Sequence, residues 1–464
     1  MKFIVILLLI FCLLVPAYSL TQEQPEDILF IKKIADNILS SNSSRENLWF
    51  LTKTIGGRPS GSYKMRQAEQ WGMDLLRKAG ADAVWEQQCE VVHWERGGAD
   101  SAFISFIDKN GNSIRKNISV LAFGSTTGTG KSGIKARLIR FGSFEELDSY
   151  RTDAAGKIVF FNPRFNSGVN PISEYSRLSG YRTRGSSVAS AYGAKGVIVR
   201  SLTNSIDSFP HVGLQMNDKN MPLIPAVAVS TEDANLLDEL FEDGKKIDAE
   251  IYTYGRNFPD TTGHNIIGEL KGLEFPDRYI TIGAHLDSWD ISEGASDDGT
   301  GVIITLELLR ALKESGYKPR NTIRFVLFAD EENGIHGGNE YAKIAVEKNE
   351  NHLFAIESDA GAFAPFSIGT VGLSKETQDR LKGFSYLFKP YGGVDWVSRG
   401  AADITPLNQM LKVPIVSLWS DQQRYFKVHH SPADTFENTD IRQIKNGAIN
   451  LALMLYLIEK YDLK

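Results

Sequence analysis

Five short polar clusters of the sequence combine histidines with carboxylates. They read GAHLDSWD (283–290), GASDDGTG (294–301), FADEENG (328–334), ESDAG (357–361) and VHHSPADT (428–435). Several of them follow short apolar runs that are typical of buried strands, and ligands of open α/β sheets bind in the crevice beyond the strand ends. The clusters therefore predict metal-assisted chemistry at one edge of a sheet.

Histidine and aspartate residues in these clusters suit a pair of zinc ions. Such a pair needs nitrogen and oxygen ligands for each ion, a carboxylate shared between them and an open position for water. His285 and His430 can each supply one imidazole, although spacing alone does not separate His430 from the adjacent His429. Asp297 is the candidate bridging ligand. The sequence thus predicts two Zn²⁺ ions per chain.

The remaining carboxylates divide into ligands and groups that stay free. Glu332 and Asp359 can each complete the ligand shell of one ion. Neighbouring side chains on extended backbone point in different directions, which leaves Glu331 free to act as a general base. Asp287 lies two residues after the first histidine, where a carboxylate would fix the tautomer of the ring. Asp298 is interpreted as a turn former or a support for a ligand.

The elements that must position these clusters alternate between strands and helices from His264 onward. This alternation implies a sheet with parallel strands flanked by helices. Strands are predicted at 265–268, 279–284, 322–329 and 352–357, and helices at about 301–314 and 338–348. Nearer the N-terminus, a helical stripe is formed by Ile28, Ile31, Ile34, Ala35 and Ile38.

Length favours more than one domain, since 464 residues exceed one compact core. In the middle of the chain the sequence pattern changes to short predicted strands with Gly-rich turns. No catalytic motif occurs there. The predicted organisation is a signal peptide (1–19), an N-terminal helix or pro-segment (20–46), a first catalytic part (47–117), an inserted β-rich domain (118–259) and a second catalytic part (260–464).

Composition excludes several classes of partner. Hydrophobic residues at 42% and charged residues at 23% are ordinary for a globular protein. The net charge of -6 provides no basic surface for nucleic acid. The N-terminal apolar run, residues 3–15, is shorter than the roughly 20 residues of a membrane anchor. We therefore expect neither a nucleic-acid partner nor a stable membrane anchor.

The N-terminus instead predicts export, with cleavage after Ser19. The expected location is extracellular, lysosomal or elsewhere in the secretory pathway, or periplasmic in a bacterium. Loss of Cys12 with the signal would leave Cys89 alone, so no disulfide can form within the mature chain. Sequons at Asn42 and Asn117 would be glycosylated only in a host that modifies them.

Taken together, the clusters resemble those of the co-catalytic dizinc aminopeptidase and carboxypeptidase family. The resemblance also includes GRPSGS at 57–62 and HWERG at 93–97, and it covers nearly all of the mature chain. It implies an α/β fold with a mixed, largely parallel sheet flanked by helices, and it implies a homodimer. The segment 155–160 of the inserted region is similar to the protease-associated domain.

The family pattern also implies a role for each site residue. It makes Glu331 the general base, and it selects the histidine that precedes Ser431 as a ligand. His429 then occupies a place where some relatives carry a tyrosine, and we expect it to donate a hydrogen bond to the developing oxyanion. The implied metal ligands are His285, Asp297 as the bridge, Glu332, Asp359 and His430.

The resulting expectation is a secreted, zinc-dependent exopeptidase that hydrolyses dipeptides and short peptides as a carboxypeptidase or dipeptidase. The alternatives are an aminopeptidase on the same centre, a non-catalytic binding protein such as the transferrin receptor on a related fold, and a glutaminyl cyclase with one zinc. Arg399 and Arg424 are candidates to bind a substrate carboxylate, although surface arginine is more common. Packing or surface roles are expected for His93, His211, His264, His336 and His352.

Overall fold

The computed structural model describes residues 25–392 and 395–463, so the expected signal peptide and Cys12 lie outside the described residues. The strands are β1 (Ala83–Val91), β2 (Trp94–Glu95), β3 (Ser101–Ile107), β4 (Ser113–Ile118), β5 (Val120–Ala122), β6 (Ile134–Phe141), β7 (Ile158–Phe161), β8 (Gly196–Arg200), β9 (Ala226–Val229), β10 (Asp248–Tyr252), β11 (Arg256–Asn257), β12 (Thr261–Leu270), β13 (Phe275–His285), β14 (Asn321–Phe328), β15 (Asn351–Glu357), β16 (Pro365–Val371), β17 (Asp395–Val397) and β18 (Ile415–Ser420).

Helices cover both faces of the larger sheet and one part of the smaller domain. They are α1 (Pro25–Ser40), α2 (Ser43–Trp49), α3 (Tyr63–Lys78), α4 (Phe144–Ser149), α5 (Pro171–Ser190), α6 (Thr231–Glu242), α7 (Thr300–Glu314), α8 (His336–Glu347), α9 (Lys375–Gly383), α10 (Ser385–Phe388), α11 (Thr405–Leu411), α12 (Gln422–Tyr425) and α13 (Ile441–Tyr461). None of the helices within the described residues is long and apolar enough to cross a membrane.

The larger sheet has eight strands in the order β1-β12-β14-β13-β15-β18-β16-β17. Its central strands β14, β13, β15 and β18 are parallel to one another, while β12 and β16 run antiparallel beside them. Every residue of β14 is buried, as expected for a strand covered by helices on both faces. Parallel pairing brings the carboxyl ends of the four central strands to one edge of the sheet.

The main hydrophobic core lies between this sheet and the helices α1, α3, α7 and α13. Helix α7 is buried along most of its length and contacts α13, α1 and β13. Helix α1 buries the predicted stripe at Ile31, Ile34, Ala35 and Ile38, but Ile28 is 41% exposed. The buried apolar stripe therefore starts at Ile31, one turn later than expected.

The second domain contains an eight-stranded sheet in the order β4-β3-β10-β6-β7-β8-β9-β5. Its strands β6, β7, β8 and β9 are parallel, and α5 packs against β7 and β8. Strands β3 and β4 also belong to this sheet, although β3 precedes residue 118, where we expected the domain to begin, and β4 ends at it. Strand β3 pairs with the distant β10, and periodicity along the chain carries no signal for such a non-local pairing.

The two domains share a packed interface beside the metal-site clusters. Trp289, which belongs to the first cluster, is 4% exposed and packs within a hydrophobic cluster of the second domain. A Cβ atom at Gly124 would lie 2.2 Å from the Trp289 ring, so only glycine permits this close approach. Trp289 is therefore a packing residue and does not line the cavity beside the clusters.

Candidate metal centre

The predicted site residues lie close together at the carboxyl edge of the larger sheet. His285 is the last residue of β13, and Glu331 and Glu332 follow β14. Asp359 comes two residues after β15, and His430 lies in the loop beyond β18. These four strands are neighbours and parallel, so their following loops converge as the sequence analysis expected.

One group of potential ligands consists of His285, Asp297 and Asp359. The Nε2 atom of His285 lies 3.2 Å from Oδ1 of Asp297 and 3.6 Å from Oδ1 of Asp359. One ligand atom from each residue lies within 4.8 Å of the others, which is compact enough to surround a metal ion. One imidazole and two carboxylates form a donor set that suits Zn²⁺.

A second group shares Asp297 with the first. The Nε2 atom of His430 lies 3.2 Å from Oδ2 of Asp297 and 3.1 Å from Oε2 of Glu332. The two oxygens of Asp297 thus face two different histidines, one on each side of the carboxylate. This is the arrangement that a bridging ligand requires.

Unpaired polar atoms at the centre provide a test of whether a metal fits. Buried atoms normally have hydrogen-bond partners, and each exception needs an explanation. Here His285 Nε2, Asp297 Oδ2 and Glu332 Oε1 are buried without a hydrogen-bond partner among the described residues. All three are potential ligand atoms of the two groups, so the residues present fit bound metal.

Asp287 supports the glutamates more directly than it supports the histidine. Nδ1 of His285 donates to the backbone oxygen of Asp287 at 3.1 Å, whereas the Asp287 carboxylate is 3.6 Å away. The two carboxylate oxygens instead accept the backbone N–H groups of Glu331 and Glu332, at 3.1 and 3.2 Å. Asp287 therefore fixes the turn that separates the expected base from the expected ligand.

Burial governs the ionisation of Glu331. Removal from water raises the pKa of its carboxyl group well above the usual value, and the nearby Asp359 and Glu332 raise it further. Glu331 lines the cavity beside the two metal groups. A carboxylate with a raised pKa binds a proton readily. A general base needs this property in order to accept a proton from water.

His429 also lies at the centre, stacked on His430 with ring centroids 3.6 Å apart. Its Nε2 atom is 3.6 Å from Oδ2 of Asp297, so distance alone also permits a contact with a metal. Burial and the adjacent His430 hold the pKa of His429 well below its usual value, which keeps the ring neutral with one N–H to donate.

A segment of the second domain orients both histidines. Nδ1 of His430 lies 3.1 Å from the backbone oxygen of Val212, and the N–H of Val212 donates to the backbone oxygen of His430 at 2.8 Å. Nδ1 of His211 donates to the backbone oxygen of His429 at 2.7 Å. A Cβ atom at Gly213 would lie 1.3 Å from Arg182, so this close contact requires glycine.

Two further residues support the centre and were not assigned by the sequence analysis. Asp434 accepts the backbone N–H groups of Ser296 at 2.6 Å and Asp297 at 3.2 Å. Arg58 is fully buried and donates to the backbone oxygens of Leu286, Glu293 and Gly294. Asp434 lies in the VHHSPADT cluster and Arg58 in the GRPSGS segment, but their partners are backbone atoms that a sequence pattern does not reveal.

Among the other predicted residues, the histidines are held by neighbouring acids. His336 contacts Asp330 at 2.8 Å, and His352 contacts Glu350 at 3.0 Å. Arg424 lies over the ring of Phe363 and does not line the cavity beside the centre. His93, His264, His336 and His352 are absent from both ligand groups of the described residues.

A cavity of about 620 Å³ opens beside the metal groups. One wall comes from the second domain and includes Ile172 and Tyr175 of α5. The opposite wall includes Trp419 and the segment 399–402 of the catalytic domain. The volume is in the range of pockets that bind a small ligand.

Comparisons with known proteins agree with this geometry. The model of peptidase family M28 matches residues 265–455. Carboxypeptidase Q of Homo sapiens is 32% identical over 94% of this chain and 91% of its own length. Carboxypeptidase Q of Bos taurus is 30% identical over 96% of this chain and 92% of its own length.

Solved structures show the same fold. A peptidase M28 precursor from Shewanella amazonensis has a TM-score of 0.85 and 28% identity, covering 94% of this chain and 97% of that chain. An aminopeptidase from Aneurinibacillus has a TM-score of 0.64 at 20% identity, covering 93% of this chain and 95% of that chain, and shows the fold alone. The predicted α/β fold, the resemblance and the metal-dependent exopeptidase class are confirmed at this level. The chain therefore belongs to peptidase family M28.

Proposed function

We propose that the chain is a dizinc exopeptidase that hydrolyses dipeptides and short peptides with a carboxypeptidase or dipeptidase preference. The observation that carries the proposal is the sharing of Asp297 between two ligand groups. His285 and Asp359 complete one group, and His430 and Glu332 complete the other. None of the residues that the family pattern requires is missing, which disfavours a non-catalytic binding protein.

The chain's own residues divide the chemical work. Bound zinc would supply a Lewis acid that polarises the scissile carbonyl and lowers the pKa of water. Glu331 takes a proton from the attacking water and returns it to the leaving amine. His429 donates an N–H hydrogen bond to the carbonyl oxygen as negative charge develops there. Asp287 holds Glu331 in place through its backbone.

The size of the cavity and the nature of the relatives support the proposed substrate class. A space of about 620 Å³ accommodates a dipeptide, and the second domain covers one side of it. The curated relatives named carboxypeptidase Q match nearly the full chain. Aminopeptidase activity on the same centre is the alternative, since the Aneurinibacillus structure with the same fold is that of an aminopeptidase.

A dipeptide library tests the proposal as a whole. We expect zinc-loaded protein to hydrolyse unblocked dipeptides, and we expect chelation to abolish this hydrolysis reversibly. Elemental analysis is expected to give two zinc ions per chain, whereas a glutaminyl cyclase would carry one. Dipeptides blocked at one end or the other separate the two exopeptidase classes. Absence of hydrolysis by protein with a full zinc content would contradict the proposal.

Replacing the two adjacent histidines separately is expected to distinguish their roles. His430→Ala should lower the zinc content from two ions towards one, because it removes a ligand atom within 3.2 Å of both Asp297 and Glu332. His429→Ala should retain both ions and lower kcat by roughly a hundredfold, the usual effect of losing an oxyanion donor. Metal content and kcat are measured on the same preparations.

Each histidine serves as the control for the other. Loss of zinc from His429→Ala would make His429 a ligand, which the 3.6 Å distance to Asp297 also permits. An unchanged kcat in His429→Ala would remove its proposed role at the oxyanion. Circular dichroism confirms that both variants are folded before these results are interpreted.

Export and dimerisation are also proposed. The N-terminal apolar run supports export, and Asn42 and Asn117, the two sequon residues, are exposed as glycosylation requires. The homodimer rests on the family resemblance. N-terminal sequencing of the protein from its natural source is expected to begin at Leu20 or later, and light scattering in solution is expected to give twice the mass of the chain.

A further inference from the structure

Two arginines introduce positive charge into the cavity beside the metal groups. Arg182 enters from α5 in the second domain, and Arg399 enters from the catalytic domain. Every acidic side chain among the described lining residues belongs to the metal centre; these residues are Asp297, Glu331, Glu332 and Asp359. The positive charge of these arginines on the cavity wall favours an anionic group of the substrate.

Arg182 is already engaged in supporting the centre. It is 8% exposed, and its Nη1 atom lies 3.3 Å from the backbone oxygen of Val212 and 3.2 Å from Nδ1 of His430. Its guanidinium also lies over the ring of Tyr175, 5.4 Å from the centroid. These contacts hold Arg182 beside His430, an expected ligand, so Arg399 is the other cation among the described residues that line the cavity.

Arg399 is held in position without a carboxylate partner. Its backbone oxygen accepts a hydrogen bond from Ser417 at 3.0 Å, which attaches the loop to β18. The guanidinium lies 5.4 Å from the centroid of the Trp419 ring, and Nη2 donates to Oγ of Ser173 at 3.3 Å. No acidic side chain of residues 25–392 and 395–463 forms an ion pair with it.

The half-buried position of Arg399 makes this lack of a partner significant. Burial lowers the pKa of its guanidinium, and no acidic neighbour compensates for that loss of hydration. A planar guanidinium has several N–H groups in a fixed fork, and a single neutral hydroxyl uses only one of them. A carboxylate that reached this place could accept two of the remaining donors.

We propose that Arg399 binds the C-terminal carboxylate of the peptide substrate and thereby makes the enzyme a carboxypeptidase or dipeptidase. This inference rests on the proposed function of the same site and specifies how the cavity selects one end of a peptide. Arg399 is a residue that determines specificity, while the reaction itself stays with Glu331 and the metal groups. Arg399 lines this cavity, and its Nη2 atom donates to Oγ of Ser173 of the second domain, which lines a neighbouring cavity.

Paired substrates test this role directly. The measurement compares kcat/KM for a dipeptide with its C-terminal amide, which is nearly the same size but has no negative charge. We expect the native enzyme to prefer the free acid, and Arg399→Gln to lose roughly 30-fold or more on the acid while changing little on the amide. Arg399→Lys should give an intermediate loss, since it keeps the charge without the fork.

Arg424→Gln is the matched control, because Arg424 also lies over an aromatic ring, that of Phe363, but outside the cavity. It is expected to behave as the native enzyme does on both substrates. A binding readout that does not depend on turnover comes from titration calorimetry in a Glu331→Gln background. There, addition of Arg399→Gln should weaken binding of the free dipeptide by a similar factor and leave binding of the amide unchanged.

The results separate failure of this inference from failure of the proposed function. If native zinc-loaded protein hydrolyses dipeptides but Arg399→Gln keeps the preference for the free acid, the role of Arg399 is wrong and the exopeptidase remains. An equal loss on acid and amide would likewise overturn the role, because it would indicate a general structural effect. If native protein prefers substrates with a free amine and ignores the C-terminus, both the carboxypeptidase preference and the Arg399 subsite are overturned.

Discussion

Glu331→Gln is expected to lower kcat by more than about a hundredfold while the zinc content stays unchanged. Glutamine has nearly the same shape as glutamate, and its amide cannot take a proton from water. Glu331 lies in the cavity beside both ligand groups and is held through its backbone N–H by Asp287. Steady-state kinetics on an unblocked dipeptide, together with elemental analysis, measures both quantities.

The control for this substitution is Glu340→Gln. Glu340 lies on α8 and forms a surface ion pair with Lys343 at 3.1 Å, so the same chemical change there should leave kcat close to the native value. Near-native turnover by Glu331→Gln would contradict its role as the base. Loss of zinc from that variant would instead indicate that Glu331 is a ligand and would reopen the division of roles with Glu332.

Arg58→Leu is expected to lower the free energy of unfolding by about 3–5 kcal/mol and to weaken zinc binding. The fully buried guanidinium donates to the backbone oxygens of Leu286, Glu293 and Gly294. Leucine would remove all three hydrogen bonds, and of the three oxygens Gly294 alone would keep another donor among the described residues, the backbone N–H of Gly299. Gly294 directly precedes the loop that carries Asp297, so loss of the hydrogen bond from Arg58 should also loosen Asp297, the proposed bridging ligand. Urea denaturation and a zinc competition titration measure the two effects.

Two other variants provide reference values for the change in stability. Arg77→Leu removes a surface arginine whose ion pair with Asp74 is 3.2 Å long, and it should change stability by less than about 1 kcal/mol. Arg58→Lys keeps the positive charge but loses the planar set of N–H donors. Its stability should therefore lie between that of Arg58→Leu and that of the native protein. Native stability and native zinc affinity in Arg58→Leu would show that the three carbonyls do not depend on this side chain.

Positive charge at Arg58 also has an electrostatic consequence for the centre. Burial lowers the pKa of its guanidinium to about 10, so the group remains protonated at neutral pH, and the acids Asp434, Asp287, Asp298 and Asp297 favour that charge. These carboxylates are buried and would otherwise repel one another. Arg58 thus offsets part of this repulsion and organises the surrounding loops.

Much of the catalytic domain could be predicted from the sequence because its signals are local. The apolar run that ends at His285 corresponds to β13, and the run before Glu331 corresponds to β14. Parallel strands bring their carboxyl ends together, so the convergence of the five clusters follows from a correct prediction of strands. The roles of individual ligands stay predictions, although the structure places all of them within the two groups.

Other features depend on contacts between distant parts of the chain. Arg58 acts on carbonyls of residues more than 220 positions away, and His211 acts on a carbonyl 218 positions away. Carbonyl oxygens are present in every residue, so no residue type marks them as partners. The placement of β3 and β4 in the second sheet has the same cause, since it depends on pairing with β10.

Because Val212 contacts His430, the second domain cannot be removed or exchanged without affecting the metal centre. The second domain supplies the acceptor for one histidine's ring and, through His211, the donor for the other's backbone. A shortened catalytic domain without the insertion would lose both, and a graft of a different insertion would have to reproduce them with an accuracy of tenths of an ångström. The insertion and the catalytic domain therefore have to be engineered together.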